Sequence, residues 1–396
     1  MQPRLILILT TATLLSAAAV TGQIGRKTEE PVIEGEPLRF RAPRTEYEYG
    51  DSAFVKSYSG GVFAWRNDVE VEADTAIYLS DVAEARFYGS TTFRDSIRRL
   101  SADTLIYFYK INEAIAIGNV VVIEENRLFR SGRVRYRKDQ RSITAANSVY
   151  VRDDSVNSIM KGDTAVFNDS TGYGLITGYP VLIREDEGGE IIMVSCDDSL
   201  EIHRDKRIMR LWNNVVVTSD SLRVTSVKAE YDDSLEVITL VGKPEARHVI
   251  FHNPDDAVSE IKTVSTVSGD SMWVYLDERR VSGVDVIGKA HSTTLSADST
   301  GATYDESIIT SSAMRLLMNE RKISRISAEG TADSYYHKAN QEDDNMIVNK
   351  ATGDTIYFFF DVGKITHMRI TGAGGAGAKG TYYGFKPEPD STVAPE

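Results

Sequence analysis

Beyond residue 60 the chain alternates apolar and polar side chains in runs of five to nine residues, punctuated by Gly, Asn and Asp. Alternation with a period of two, carried by β-branched and aromatic residues, predicts strands that bury one face. Runs with a helical period are scarce, so the pattern predicts an all-β protein.

The runs also repeat. VEADTAIY (71–78), LSADTLIY (100–107), MKGDTAVF (160–167), VTSDSLRV (217–224), VSGDSMWV (267–274) and ATGDTIYF (351–358) share one plan. Each has a small residue, Asp, then Thr or Ser, then an apolar run closing on an aromatic residue or Val. RSGRVRY (130–136), TAANSVY (144–150), CDDSLEI (196–202) and TSVKAEY (225–231) are weaker copies. With the small residue as anchor, Ala73, Ala102 and Ser131 follow one another at 29 residues, and Gly269, Ala297 and Gly353 at 28 and 56. An interval near 28 fits two strands with their turns, and such units, each burying its face against its neighbours, form a quasi-one-dimensional array.

Aligned on the anchor, the third residue is Ala76, Leu105, Val134, Ala165, Leu222, Ala229, Met272 or Ile356. The fifth is Tyr78, Tyr107, Tyr136, Tyr150, Phe167, Val224, Tyr231, Val274 or Phe358, while the fourth includes Arg135, Arg223 and Glu230. Side chains alternate along a strand, so the third and fifth positions are expected to point inward and the fourth outward. A second strand type, as in AIAIGNVVVIEE (114–125), RLWNNVVVTSD (210–220) and VDVIGKAHSTT (284–294), puts Gly or Asn before a small or Val-rich stretch. Such a position suits a bulge or a close backbone approach.

Composition narrows the function. The chain has 396 residues, 41% of them hydrophobic, which is enough for a large core. Its formal net charge of -13 weighs against nucleic acid as a partner, because phosphate neutralisation needs a basic surface. The single Cys196 excludes an intrachain disulfide framework and a Cys-rich zinc site. At the N-terminus Arg4, an apolar run from Leu5 to Leu15 and small residues to Gly22 have the layout of a secretory signal peptide. Residues 1–22 are therefore expected to be a cleaved leader that directs export, and retention as an anchor is the alternative. Residues 23–59 read as an extension with a first strand, 60–385 as the repeat array and 386–396 as a frayed Pro-rich tail.

Candidates for polar chemistry are few. Arg133, Arg135 and Arg137 alternate with inward Val134 and Tyr136, an outward ladder suited to phosphates or to pairing with neighbouring carboxylates. Asp74, Asp103, Asp163, Asp220, Asp270 and Asp354 occur once per repeat before Thr or Ser, as turn and strand-entry positions require. His248 and His252 have zinc-like spacing only on a helix; in a strand they stand roughly 13 Å apart. GAGGAGAKGT (372–381) imitates a phosphate loop but has Ala378 before Lys379 and no helix pattern after it. No nucleophile elbow, zinc-protease motif or cofactor fingerprint is present, so the protein is expected to be neither an enzyme nor a cofactor or metal carrier.

The GNVVV segment at Gly118 to Val122, its NNVVV counterpart at Asn213 to Val217 and the repeated small-x-x-apolar-x-Tyr strands resemble one known family. It is the family of periplasmic lipopolysaccharide-transport proteins with OstA-like domains (organic solvent tolerance-like N-terminal domains) that includes LptA. The resemblance runs from about Gly60 to about Tyr383. It implies an elongated open β-jellyroll of two facing twisted antiparallel sheets, with lipid A acyl chains between the sheets and sugars outside. It also implies lipopolysaccharide or a related glycolipid as ligand, and other jellyroll proteins of that transport system, or further copies of this chain, as partners joined at edge strands.

The physical demand is independent of the family: acyl chains cost about 0.8 kcal/mol per CH₂ exposed to water, so a carrier needs a continuous apolar trough. Leu105, Tyr107, Val134, Tyr136, Leu222 and Val224 would line it, continued by Tyr231, Met272, Val274, Ile356 and Phe358. The rival reading is a structural β-solenoid or adhesin-like exported protein in which the same residues fill a closed core.

Overall fold

The computed structural model describes residues 36–49, 54–155, 157–185, 191–252, 261–277, 280–297, 303–319, 322–339, 346–361, 364–372 and 379–385. The expected leader, the Pro-rich tail and most of the glycine-rich segment lie outside them. The described residues form antiparallel strands and no helix, as the alternation predicts.

The chain divides into two compact units whose described residues are 36–210 and 211–385. The N-terminal unit opens with β1 (Arg39–Arg41), β2 (Arg44–Tyr49) and β3 (Phe54–Arg66). It continues with β4 (Val69–Leu79), β5 (Glu84–Arg94), β6 (Arg99–Phe108), β7 (Glu113–Glu124), β8 (Arg127–Arg137), β9 (Ser142–Asp153) and β10 (Ser158–Asn168). Four short strands follow, β11 (Tyr173–Thr177), β12 (Val181–Glu185), β13 (Ile191–Ser195) and β14 (Ser199–His203), and β15 (Ile208–Thr218) crosses the boundary. The C-terminal unit adds β16 (Leu222–Asp232), β17 (Val237–Val241), β18 (Glu245–His252), β19 (Ile261–Ser268) and β20 (Ser271–Asp277). It ends with β21 (Arg280–Ala297), β22 (Thr303–Asn319), β23 (Lys322–Ala339), β24 (Met346–Asp361), β25 (Lys364–Thr371) and β26 (Lys379–Phe385).

From β3 to β10 each strand pairs with the next, and each pairing contains one register shift near its middle. The shift has a clear purpose. Along β4, Val69, Val71 and Ala73 are buried, Asp74 and Thr75 both face out, and burial resumes at Ala76. One extra residue keeps the same face inward on both sides of a bend, which is how a bulge lets a strand turn a corner. Every long strand is thus two arms joined at a corner. Arm A of the N-terminal unit contains 69–73, 91–94, 99–102, 120–124, 127–131, 149–153 and 158–161, and arm B the other halves. β10 pairs with β12 in arm A and with β11 in arm B, where Pro180 splits what would be one strand.

Two consecutive left-handed residues build the corner on alternate strands: Gly89 and Ser90, Gly118 and Asn119, Gly178 and Tyr179, Gly288 and Lys289. The neighbouring strand places an Asp against each glycine. A Cβ on Gly89, Gly118, Gly178 or Gly288 would stand 2.2 to 2.4 Å from an Oδ2 of Asp74, Asp103, Asp163 or Asp270. Positive φ and the carboxylate both select glycine there. The corner between β8 and β9 reverses the roles. Asn147 and Ser148 are the left-handed pair, and Gly132 stands where the others have Asp, since a Cβ on it would meet Asn147 Cβ at 2.8 Å. The recurring Asp residues are therefore corner pieces, as their turn chemistry suggests, except Asp220, which sits in the turn between β15 and β16.

Candidate functional site

The inward faces of the two arms meet inside the N-terminal unit. Phe93 of arm A lies 5.7 Å from Tyr107 and 6.2 Å from Tyr136 of arm B, and Phe129 lies 5.6 Å from Phe167. At the β1 end Phe40 stacks on Tyr58 at 4.4 Å and reaches Tyr78 and Phe87. Burial among these rings pushes the Tyr58 phenol up to about 12. Leu105 is 0% exposed, Tyr107 and Val134 1% and Tyr136 3%, so water scarcely reaches them. Burial also raises Tyr107 and Tyr136 above the ordinary phenol range.

The open side opposite the corner, where hairpin turns of both arms end, is held by polar contacts. Arg66, at the end of arm A, donates to the Tyr109 carbonyl and to Asn112 Oδ1 at 3.0 Å. Lys138 pairs with Asp68, and the Tyr136 hydroxyl donates to Asp95 at 2.9 Å. Burial works against the charged form of Asp68, but the hydrogen bonds from Lys138 and Ser96 outweigh it and hold the carboxyl below its usual range. The centre of the seam is Arg98, whose side chain is 4% exposed. Its guanidinium pairs with Glu124 at 3.2 Å and with Asp169 across the mouth, and covers the Tyr136 ring at 4.8 Å. Arg127 approaches Glu124 at 3.8 Å and Arg204 approaches Asp169 at 3.5 Å, completing the cluster. Burial alone would lower the Arg98 pKa; the carboxylates, Glu124 foremost, hold it above its ordinary value.

The C-terminal unit is lined differently. There the register shifts put 271–277, 280–287, 313–319, 322–329 and 355–361 in arm B and the other halves in arm A. Arm B carries two apolar rows: Met272, Val286, Met314, Ala328 and Ile356, then Val274, Val284, Leu316, Ile326 and Phe358. The first row, beside the corner, is at most 2% exposed, whereas Val274, Leu316, Ile326 and Phe358 are 6 to 7% exposed. On arm A the buried Ala290, Ser311, Ala332 and Ala351 flank the corner. Beyond them one row runs through His248, Ser265, Thr294, Ser307, Tyr336 and Asn349, in register across five strand pairings. All six are half-buried. Ser265 and Thr294 share a hydrogen bond at 3.2 Å, and Thr263 and Ser296 one at 2.8 Å. Burial pushes the His248 imidazole below its ordinary pKa, and its Nε2 has no partner.

The expected site residues are thus inward within each unit: Leu105, Tyr107, Val134 and Tyr136 in the N-terminal one, Val224, Tyr231, Met272, Val274, Ile356 and Phe358 in the C-terminal one. Leu222 is half-buried at the end of β16, five residues before its corner at Val227 and Lys228. Tyr150 departs from the alignment: Val149 and Val151 are buried and Tyr150 faces out, because β9 turns its corner as β7 does, with three residues between the buried Ala145 and Val149 where the aligned repeats have two between anchor and third position. Of the arginine ladder, Arg135 and Arg137 pair with the buried Glu113 at 2.7 and 2.8 Å, and Arg133 is exposed. Burial alone would raise the Glu113 pKa, yet the two guanidinium groups bring it below its ordinary value. The alignment of repeats offered no sign of the Arg98 seam, whose partners are 26 and 71 residues away. Among the described residues no cluster of three or more His, Cys, Asp or Glu could hold a metal ion. His248 and His252 both lie in the extended β18.

Comparison with known proteins adds little to this geometry. No family profile and no curated protein matches the chain. Among solved structures, the crystal structure of LptH, the LptA homologous periplasmic component of the lipopolysaccharide transport device of Pseudomonas aeruginosa, aligns at 9% identity with a TM-score of 0.15. The alignment covers 44% of this chain and 82% of that one.

Proposed function

We propose that the protein is an exported, non-enzymatic carrier of lipopolysaccharide or a related glycolipid, which takes acyl chains between the two arms of its folded sheet. The observation that supports this most is the seam of the N-terminal unit. Both inward faces are apolar, and the open side is held by side-chain ion pairs and hydrogen bonds, so one edge can part while the corner stays intact.

Energetics permit the exchange. An acyl chain of about a dozen methylenes gains roughly 10 kcal/mol on leaving water, and inside the unit it would replace ring and aliphatic contacts of similar kind. The cost falls on the seam, where separating Arg98 from Glu124 and Asp169 is disfavoured unless water reaches all three. In the C-terminal unit the less covered row of Val274, Leu316, Ile326 and Phe358 offers apolar contact nearer the mouth. Partners would be related jellyroll proteins or further copies, added at β1 and β2 or at β25 and β26. Among the described residues these strands pair on one side only, with β3 and with β24.

The structural reading, an exported β-protein with a filled core, is favoured by the complete burial of Leu105, Tyr107 and Val134. Photocrosslinking decides between them. A benzophenone residue at Leu105, Tyr136 or Leu222 is expected to label glycolipid in cells that make lipopolysaccharide, and the purified protein to carry lipid detectable by mass spectrometry. Absence of both, under conditions in which a known carrier labels, would favour the filled core. Periplasmic fractionation of the processed chain tests export separately.

A further inference from the structure

The outer face of arm A in the N-terminal unit stands apart from the rest of this acidic chain. Register places Arg94, Arg99, Ile123, Leu128, Arg152 and Ile159 side by side in one row, continuing to Ile183 and Met193. The adjoining row is Thr92, Ser101, Val121, Arg130, Tyr150 and Lys161, continuing to Val181 and Ser195. Neither row contains a carboxylate between β5 and β13; Glu70 and Glu72 of β4 mark one border. None of these side chains is buried, and Ile123 and Met193 are 47% and 40% exposed.

The other arm of the same unit shows that the imbalance is local. On the outer face of arm B, Arg86 is matched by Glu84, and Arg135 and Arg137 by Glu113. On arm A, Arg152 pairs with Asp154 of the adjoining turn at 2.9 Å, while among the described residues Arg94, Arg99, Arg130 and Lys161 have no carboxylate partner. Four cations are left free on this face, with aliphatic side chains between them, against Arg133 on the outer face of arm B.

We propose that this face docks on the surface of an anionic phospholipid bilayer. Eight strands at about 4.8 Å make it roughly 35 Å long, a two-dimensional array in which cations meet headgroup charge while Ile123, Leu128, Ile159 and Met193 enter the headgroup boundary. Charge complementarity selects this occupant. A duplex or other long polyanion would also meet the acidic remainder of the protein, whereas a planar surface meets this face alone. The inference concerns the outside of the sheet and does not depend on what the interior carries.

The experiment is sedimentation of the full chain with vesicles of phosphatidylcholine containing about 30% phosphatidylglycerol, against phosphatidylcholine alone. Binding is expected to the anionic vesicles, to weaken as salt is raised through roughly 0.5 M, and to fall at least tenfold in R99E/R130E/K161E. The three positions are exposed, so thermal unfolding of that variant should match the natural chain. I123S/M193S, which keeps every charge, is expected to bind severalfold more weakly with its salt dependence retained. Equal binding to both vesicle types, or undiminished binding by the charge-reversed chain, overturns the proposal. So does a dimer, in sedimentation without vesicles, that the same reversal disperses, because the face would then belong to a second copy.

Discussion

The two units are built from the same bent strands, yet they treat the inward face of arm A in opposite ways. In the N-terminal unit that face is Val69, Val71, Phe93, Val122, Phe129 and Val151, all buried. In the C-terminal unit the equivalent track is His248, Ser265, Thr294, Ser307, Tyr336 and Asn349, all half-buried. The corner alone therefore does not make a sealed interior. Sealing needs apolar side chains on both arms, and the N-terminal unit adds a charged seam at the mouth. Arm A of the C-terminal unit forms its ladder without such cover, because hydroxyl and amide side chains tolerate water on that face and bond to one another where strands meet.

The largest expected difference comes from the seam. Arg98→Ala would leave Glu124 and Asp169 buried without their shared cation, which costs about 3–5 kcal/mol, and hydrogen exchange should report it throughout the N-terminal unit. Asp285→Ala removes the carboxylate that pairs with Arg315 in the C-terminal unit. Arg315 is 57% exposed and can turn to water, so the loss there should be nearer 1 kcal/mol. Equal effects would mean that the mouth contacts of the N-terminal unit are ordinary surface pairs.

Next is the corner that both units share. Gly118→Ala puts a Cβ against the Asp103 carboxylate at a φ of 79°, with an expected cost of about 2–4 kcal/mol. Adding Asp103→Gly copies the arrangement of Gly132 beside Asn147 and should recover at least half of that loss, leaving mainly the strain of a left-handed alanine. A thermodynamic cycle measured by urea unfolding gives the coupling. If the two changes add independently, the Asp and Gly of the corner do not select each other.

These corners explain what was legible in the sequence and what was not. Alternation identified the buried faces, since Ala76, Leu105, Val134 and Ile356 are 1% exposed or less. The Asp of each repeat was recognisable as a structural residue from its turn chemistry. A period of two says which face is buried but nothing about a bend, because the bulge restores the same face on the far side. Residue type supplied the missing sign at Gly118 and Asn119, which read as a bulge site and stand within the register shift between Ile117 and Val120. The same blindness misplaced Tyr150, where a corner of Asn and Ser lacks the glycine that marks most others. The seam was invisible for a different reason. Arg98, Asp95, Lys138 and Asp169 stand in or beside hairpin turns, where charged residues are common, and only the three-dimensional return of arm A onto arm B brings them together.

An isosteric exchange tests the contrast on arm A most directly. Val151 is 1% exposed, and Val151→Thr would bury a hydroxyl among apolar neighbours at a cost of about 1–3 kcal/mol. Thr294→Val makes the reverse change in the C-terminal unit and removes one hydrogen bond to Ser265, yet water reaches the position, so stability should move by less than about 0.5 kcal/mol. A large gain from Thr294→Val would show that this face is sealed in solution after all.

The smallest effect is a pH dependence confined to the same row. Burial lowers the His248 pKa in the folded chain, so protonation favours the unfolded state. Its contribution is fully present above the ordinary histidine value of about 6.5 and is lost as pH falls through the lower folded value. Asp305 lies farther along the sheet, on β22, and the nearest neighbours in register are Leu222 and Ser265, so no carboxylate opposite the ring compensates for its charging. Unfolding of the C-terminal unit, followed by hydrogen exchange between pH 7.5 and 5.5, should become easier toward acid. His248→Gln should flatten that slope and leave the N-terminal unit unchanged. A slope that survives the substitution would place the titrating group elsewhere and remove His248 from the polar track.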